Sequence, residues 1–372
     1  MASAATGVPV REPLVADGVL RFLDVGDVRL ESGFTLPDVT LGFETWGTLN
    51  SAGSNAVLIE HALTADSHVA TGTSRDSATG WWDGLVGPGK AIDPSRWFIV
   101  AANMIGGCYG STGPGSTAAD GRPWGSRFPE VSIRDSVVAE TRLADLLGVS
   151  RWHAVVGGSM GAMRALEWSV LEPSRVGHVV VLASSAYSTA EQIGWAQAQL
   201  LAIRQDPSFQ GGDYYQTGRT PDAGLGLARR IAHITYRCES ELSARFGNEA
   251  QQPPRSDAPS RFQVESYLDH QAGKLVARFD ANSYIALTQA LMGHDVRRGR
   301  GTLREALGST EAQATVIAVD SDRLYPAALS AELAAAWADP VDVHTIRSAA
   351  GHDGFLLETD QLGAILGGSV FA

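Results

Sequence analysis

The five residues Gly157-Gly158-Ser159-Met160-Gly161 constrain this chain more than any other feature. An apolar run over 152–156 precedes them, and a helix-like segment over 162–171 follows. A strand that turns sharply into a helix lifts a serine at its apex clear of the sheet. Glycines on either side let helix and strand approach where a side chain would collide. A bare G-x-S-x-G string is common. The strand before this one and the helix after it make Ser159 a candidate nucleophile rather than a structural turn.

Around that turn the pattern alternates between strand and helix. Residues 39–45, 56–60, 97–101, 152–156 and 178–182 read as strands, with a helix over 135–147 ending at Gly148 and another breaking near Pro173. Strands separated by helices predict an α/β fold with a mostly parallel sheet. From about 188 to 293 the character is helical, over 191–204, 225–234, 261–273 and 283–292, with a loop at Gln251-Gln252-Pro253-Pro254. Strand character returns at 315–319 and 341–346. The expected organisation is a core over 1–186, a helical lid insertion over 187–295, and the rest of the core over 296–372.

Composition narrows the function. The 372 residues are 44% hydrophobic, enough for a large core that carries an insertion. Acidic residues outnumber basic ones 41 to 29, with no basic stripe, so nucleic acid is not an expected partner. No apolar run approaches the roughly 18 residues of a membrane span. No basic segment followed by an apolar run opens the chain, so no signal peptide is expected. Two cysteines, Cys108 and Cys238, do not make an extracellular disulfide framework. A cytoplasmic protein is the expectation. The nine histidines are scattered, without H-E-x-x-H, and no metal site is expected.

A serine needs a base. His352, in Gly351-His352-Asp353-Gly354, follows the last predicted strand and is the candidate. The orienting acid should leave the strand before it, in Asp320-Ser321-Asp322-Arg323-Leu324-Tyr325-Pro326. Pattern alone leaves Asp320 and Asp322 both open. Two late strands thus release suitable residues at their carboxyl ends, where ligands of open α/β sheets bind. The oxyanion of an acyl-transfer intermediate needs main-chain donors. One is the amide of Met160, and the other comes from His61-Ala62-Leu63-Thr64-Ala65, with Leu63 the best placed. His61 itself reads as structural.

Asn103 to Pro114 is glycine-rich but lacks the lysine of a P-loop and the G-x-G-x-x-G of a dinucleotide site, so it reads as a packed loop. Cys108 within it reads as a small packed side chain. In the insertion, Arg229, His233 and Tyr236 share one helical face. Arg229 is either a carboxylate clamp in a lid or a solvated arginine on an amphipathic helix. A triad of this kind makes an acyl-enzyme and leaves open whether water or an alcohol accepts the acyl group. A long insertion that covers the pocket favours a bound alcohol.

The chain resembles the homoserine O-acyltransferase family of the α/β-hydrolase superfamily from about Leu30 to Leu366. Gly158-Ser159-Met160-Gly161-Ala162 is similar to the family's nucleophile elbow, and His61-Ala62-Leu63-Thr64 to its oxyanion loop. Gly80-Trp81-Trp82-Asp83, the segment Gly106 to Pro114, and Trp124-Gly125-Ser126-Arg127-Phe128-Pro129 also match. The resemblance of Ser321-Asp322 with Leu324-Tyr325-Pro326 selects Asp322. It places Arg229 at the substrate carboxylate, Tyr236 beside it, and Asp353 near the amino group. It implies acetyl-CoA as co-substrate, with no permanently bound cofactor, and L-homoserine as acceptor. An acetyl-Ser159 intermediate, ping-pong kinetics and a role in methionine biosynthesis follow from it. Succinyl donors, serine as acceptor, and simple ester hydrolysis are the alternatives. It also implies a homodimer through the insertion, for which 200–203 and the surroundings of Ile234 supply apolar residues; the same residues equally suit packing onto the core domain. Ala65 stands where the family has glycine. A methyl there would either narrow the acyl pocket or shift the Leu63 amide, and would carry strain if the backbone needs positive φ.

Overall fold

The computed structural model describes residues 16–74, 77–251 and 261–372. The prolines and glutamine at 252–254 lie outside the described residues. Eight strands form one sheet, β1 (Arg21–Arg29), β2 (Thr35–Trp46), β3 (Ala56–Glu60), β4 (Phe98–Ala102), β5 (Trp152–Gly158), β6 (Val176–Leu182), β7 (Gln313–Val319) and β8 (Val343–Ile346). Their spatial order is β1-β2-β4-β3-β5-β6-β7-β8. β1 and β2 are antiparallel, and β2 runs antiparallel to β4; every other pair is parallel. The carboxyl ends of β3, β5, β7 and β8 therefore open on one edge of the sheet. This is the predicted α/β-hydrolase architecture.

The central strands are apolar throughout because both faces are covered. Helices α1 (Ile133–Leu147) and α2 (Met160–Leu171) belong to one layer, where Trp152, Leu166, Trp168 and Val179 share a core with Val137 and Ala144. On the opposite face Trp82, Ile92, Val156 and Phe355 pack with Leu362 and Leu366. α1 starts on a capping box, Ser132 with Asp135, and stops at Gly148 at φ 78°, a left-handed cap that glycine adopts without strain.

Between β6 and β7 the chain runs through α3 (Ala190–Arg204), α4 (Asp222–Tyr236), α5 (Glu239–Phe246), α6 (Gln263–Val276), α7 (Ala281–Met292) and α8 (Leu303–Leu307). Helices α3 to α7 form a helical insertion that sits on the core through a shared apolar cluster, whereas Leu307 of α8 packs in the core itself. Leu200, Ile203, Leu225 and Tyr284 from the insertion meet Leu63, Met104, Met160 and Tyr325 from the core. After β7 come α9 (Ala327–Ala336), β8, α10 (Gly354–Leu357) and α11 (Thr359–Ser369).

One element, β1, differs from the sequence expectations, and the role of 200–203, left open between a dimer contact and core packing, falls mostly to the core. β1 has no strand signal, since it is a sheet edge with only Val25 and Val28 buried. In the stretch 200–203, Leu200 and Ile203 are buried in the shared cluster and only Leu201 is an exposed large apolar residue.

Candidate active site

β5 ends at Gly158, and Ser159 follows at φ 58° and ψ −124°, immediately before α2. A non-glycine residue held there costs about 1–3 kcal/mol. Its neighbours hold it in place: the Ser159 amide donates to the Leu182 carbonyl at 3.0 Å, and the Ser184 hydroxyl donates to the Ser159 carbonyl at 2.9 Å. The glycines allow the turn its closeness. A Cβ on Gly161 would fall 2.0 Å from the Glu60 carbonyl oxygen, and one on Gly157 would fall 2.2 Å from the Gly161 carbonyl.

The three loops converge. His352 Nε2 lies 2.9 Å from Ser159 Oγ, and His352 Nδ1 lies 2.7 Å from Asp322 Oδ2. The other carboxylate oxygen of Asp322 accepts the amides of Leu324 at 2.8 Å and Tyr325 at 2.9 Å. All three residues are buried. Burial works against a charged imidazole, but the Asp322 carboxylate outweighs it, and the His352 pKa ends above its ordinary 6.5. Asp320 does other work: its Oδ1 accepts the Ser348 amide at 3.0 Å and braces the histidine loop. The choice that pattern left open therefore falls to Asp322 on geometry.

Aromatic rings fix the imidazole. Tyr325 stacks on it with ring centres 5.1 Å apart and planes at 30°, Phe355 meets it at 5.3 Å, and Tyr236 at 5.7 Å. Tyr325 was not singled out by sequence. Its signal was its place three residues after Asp322.

Behind the elbow lies a charge cluster that no motif announced. Arg164 of α2, fully buried, reaches Glu60 at the end of β3 at 2.6 Å and also pairs with Glu140 of α1. Glu140 further accepts Ser136 at 2.6 Å and the Trp168 indole at 2.9 Å. Burial drives the Glu60 carboxyl well above the ordinary range, against the pull of Arg164. One guanidinium thus ties strand β3, which leads into the oxyanion loop, to the helix that starts at the nucleophile.

In the oxyanion loop His61 is structural, as expected. Its Nδ1 lies 2.8 Å from the Ala62 carbonyl and its Nε2 accepts the Met104 amide at 3.0 Å, and burial lowers its pKa to about 3. The amides of Leu63 and Met160 find no acceptor among the described residues. Ala65 is outside the residues with positive φ, so its methyl carries no backbone strain; it lines the pocket instead.

The pocket over Ser159 has a volume of about 430 Å3. Its sheet-side wall includes Leu63, Ser159, His352 and Asp353, and its insertion-side wall includes Arg229 and Tyr236 of α4 and Arg278 just beyond α6. Arg229 is half-buried, with its guanidinium carbon 5.6 Å over the Tyr236 ring. Its Nη1 donates to Thr64 Oγ1 at 3.3 Å, while its buried Nε has no partner among the described residues. His233, on the same helix, turns away to Tyr267 at 3.2 Å. Asp353 reaches the pocket but already faces Arg237 at 3.3 Å. Arg278 was missed by sequence, since nothing in its neighbourhood marks it. The 103–114 loop is packed as expected: Asn103 donates to Ser67 Oγ at 3.0 Å and the Tyr109 carbonyl at 2.7 Å. Burial pushes the Cys108 thiol up to about 11, which disfavours the nucleophilic thiolate.

A family described as alpha/beta hydrolase fold matches residues 55–359. A homoserine O-acetyltransferase of Nocardia farcinica (strain IFM 10152) is 52% identical over 365 residues, 98% of this chain and 95% of its own. Another, of Thermobifida fusca (strain YX), is 54% identical over 367 residues, 95% of this chain and 97% of its own. The chain belongs to the homoserine O-acetyltransferase family. Among solved structures, a homoserine O-acetyltransferase from Bacillus anthracis superposes with a TM-score of 0.86 at 28% identity, covering 95% of this chain and 98% of that one. Esterase E22 superposes with a TM-score of 0.84 at 27% identity, covering 93% and 98%. As in an enzyme of this family, Ser159, His352 and Asp322 form a Ser-His-Asp triad. Among the described residues no helix is long and apolar enough to cross a membrane.

Proposed function

We propose that this protein is a homoserine O-acetyltransferase, which moves the acetyl group of acetyl-CoA onto the hydroxyl of L-homoserine. The observation that carries this is a complete triad opening into a pocket whose cover presents an arginine with no carboxylate partner among the described residues. His352 takes the proton of Ser159 as its oxygen attacks the thioester carbonyl. The Leu63 and Met160 amides receive the oxyanion. His352 returns that proton to the departing sulfur, so CoA leaves as its thiol and acetyl-Ser159 remains. The neutral His352 then deprotonates the homoserine hydroxyl, which attacks the ester; the proton passes to the Ser159 oxygen as its acyl bond breaks, and O-acetyl-L-homoserine departs. Arg229 clamps the amino-acid carboxylate through its fork, with Tyr236 alongside. Asp353 offers the ammonium group the side of its carboxylate away from Arg237.

Around this chemistry, the core comprises 1–186 and 296–372, and the insertion 187–295. Ile193, Trp195 and Leu201 of α3, with Leu227 and Ile234 of α4, expose apolar side chains that suit a homodimer contact. Free Cys108 and Cys238 fit a cytoplasmic location.

Incubation with acetyl-CoA and L-homoserine tests the proposal: O-acetyl-L-homoserine and CoA should appear together. The likeness to esterase E22 supports a second reading, ester hydrolysis. Free acetate without O-acetylhomoserine would establish that reading instead. Succinyl-CoA run in parallel separates the donors, and L-serine the acceptors.

A further inference from the structure

The insertion-side wall of the pocket carries two cations, and only one is needed for the amino acid. Arg278 is exposed and lines the pocket with Arg229, and both arginines donate to Thr64. Its Nη2 donates to the Thr64 carbonyl at 2.7 Å and its Nη1 to the Tyr109 hydroxyl at 2.5 Å. Both acceptors are neutral, and no carboxylate pairs with it among the described residues. The acids nearest in sequence and in the pocket are otherwise engaged. Asp280 accepts the Tyr214 and Tyr215 hydroxyls and the Ser283 amide. Asp66 accepts the His68 amide at 2.9 Å.

Two held donors orient the guanidinium plane and leave the rest of the fork toward solvent at the pocket. The chain as a whole carries a formal charge of −12. A polyanionic donor is repelled by such a surface unless a local positive group receives it. Arg229 does not fit that part. It is half-buried in the pocket wall beside Tyr236, a position that suits a small carboxylate rather than a nucleotide tail.

We propose that Arg278 is the phosphate-binding residue of the acyl-donor subsite and accepts the anionic phosphates of the coenzyme A tail at the pocket mouth. The inference rests on the acyl-CoA reading above. It divides the two arginines by substrate: the inner one for the acceptor's carboxylate, the outer one for the donor's phosphates. Arginine's planar fork suits phosphate oxygens, and the attraction weakens as salt screens it.

The test compares two donors with the same reacting bond. Acetyl-CoA and S-acetyl-N-acetylcysteamine are both acetyl thioesters, and the second has no phosphate. For each, kcat/KM is measured at fixed L-homoserine in the wild type, Arg278→Ala and Arg278→Lys, at low and high salt. The ratio of acetyl-CoA to S-acetyl-N-acetylcysteamine should fall on the order of tenfold in Arg278→Ala, the effect of losing one hydrogen bond to a charged group. Arg278→Lys should restore most of that ratio, and the wild-type ratio should fall with salt more steeply than that of Arg278→Ala. An equal loss on both donors would overturn the proposal and make Arg278 a brace for the Thr64 loop. An unchanged ratio would overturn it too. A wild type that turns over neither thioester sinks the acyltransferase reading itself, which is a different result from a wild type that uses both.

Discussion

The two walls of the pocket are built on opposite terms. On the sheet side, Ser159, His352 and Asp322 are buried, and the hydrogen bonds that set their geometry are already made. On the insertion side, among the described residues, Arg229 and Arg278 donate hydrogen bonds only to neutral oxygens. A catalytic group must be oriented before the substrate arrives, so its own partners are protein. A recognition group must have capacity left for the ligand, so its partners are incomplete. The unfinished wall is thus where specificity should be sought, and the finished wall is where the rate should be.

Mutations can break that contrast. On the finished wall, Asp322→Asn should lower kcat on the order of 10^4-fold, because the imidazole loses its orientation and its counter-charge. Circular dichroism and thermal melting should show the fold retained. Still on the sheet side, Arg164→Met leaves Glu60 and Glu140 buried without their cation. A loss of about 3–5 kcal/mol in urea unfolding is expected, and a loss near zero would mean the cluster does not hold the elbow. On the open wall, Arg229→Ala should reduce kcat/KM for L-homoserine by roughly 10- to 100-fold, the range for losing hydrogen bonds to a charged group. CoA release in the absence of homoserine should fall much less. If both half-reactions fall together, Arg229 belongs with the triad wall and the contrast fails.

The pH profile sharpens the same comparison. His352 acts as a base only when neutral, and its pKa is raised above 6.5 by Asp322 against the opposing effect of burial. Activity should therefore decline below that raised pKa, by about tenfold per pH unit. In the residual activity of Asp322→Asn the acid limb should move to lower pH, since the raising charge is gone. An acid limb that stays in place would show that another group sets it. The smallest effect belongs to Glu60→Gln. The amide has the same shape, keeps an oxygen for the Arg164 guanidinium and leaves the Arg164–Glu140 pair in place, so the melting temperature should change far less than in Arg164→Met.

How much of this was legible in sequence follows from how local each signal is. The elbow was readable because strand, glycines and helix are consecutive. His352 and the 320–326 loop were readable because each closely follows a strand. Asp322 was not separable from Asp320 by pattern, since the distinction is which carboxylate faces His352 Nδ1 and which braces Ser348. The Glu60–Arg164–Glu140 cluster joins a strand and two helices far apart in sequence, and a buried arginine looks like any other in a string of letters. Arg278 was invisible for a similar reason: its meaning comes from Thr64 and Tyr109, more than 160 residues away. β1 was missed because an edge strand with one buried stripe of two valines has little alternation to detect.

The most direct measurement is intact-mass and peptide analysis of the protein mixed briefly with acetyl-CoA alone. An added acetyl group on the peptide bearing Ser159 is predicted, appearing with free CoA and vanishing when L-homoserine is added. A protein that stays unmodified while O-acetylhomoserine forms, or that carries the acetyl group on another residue, would contradict the account.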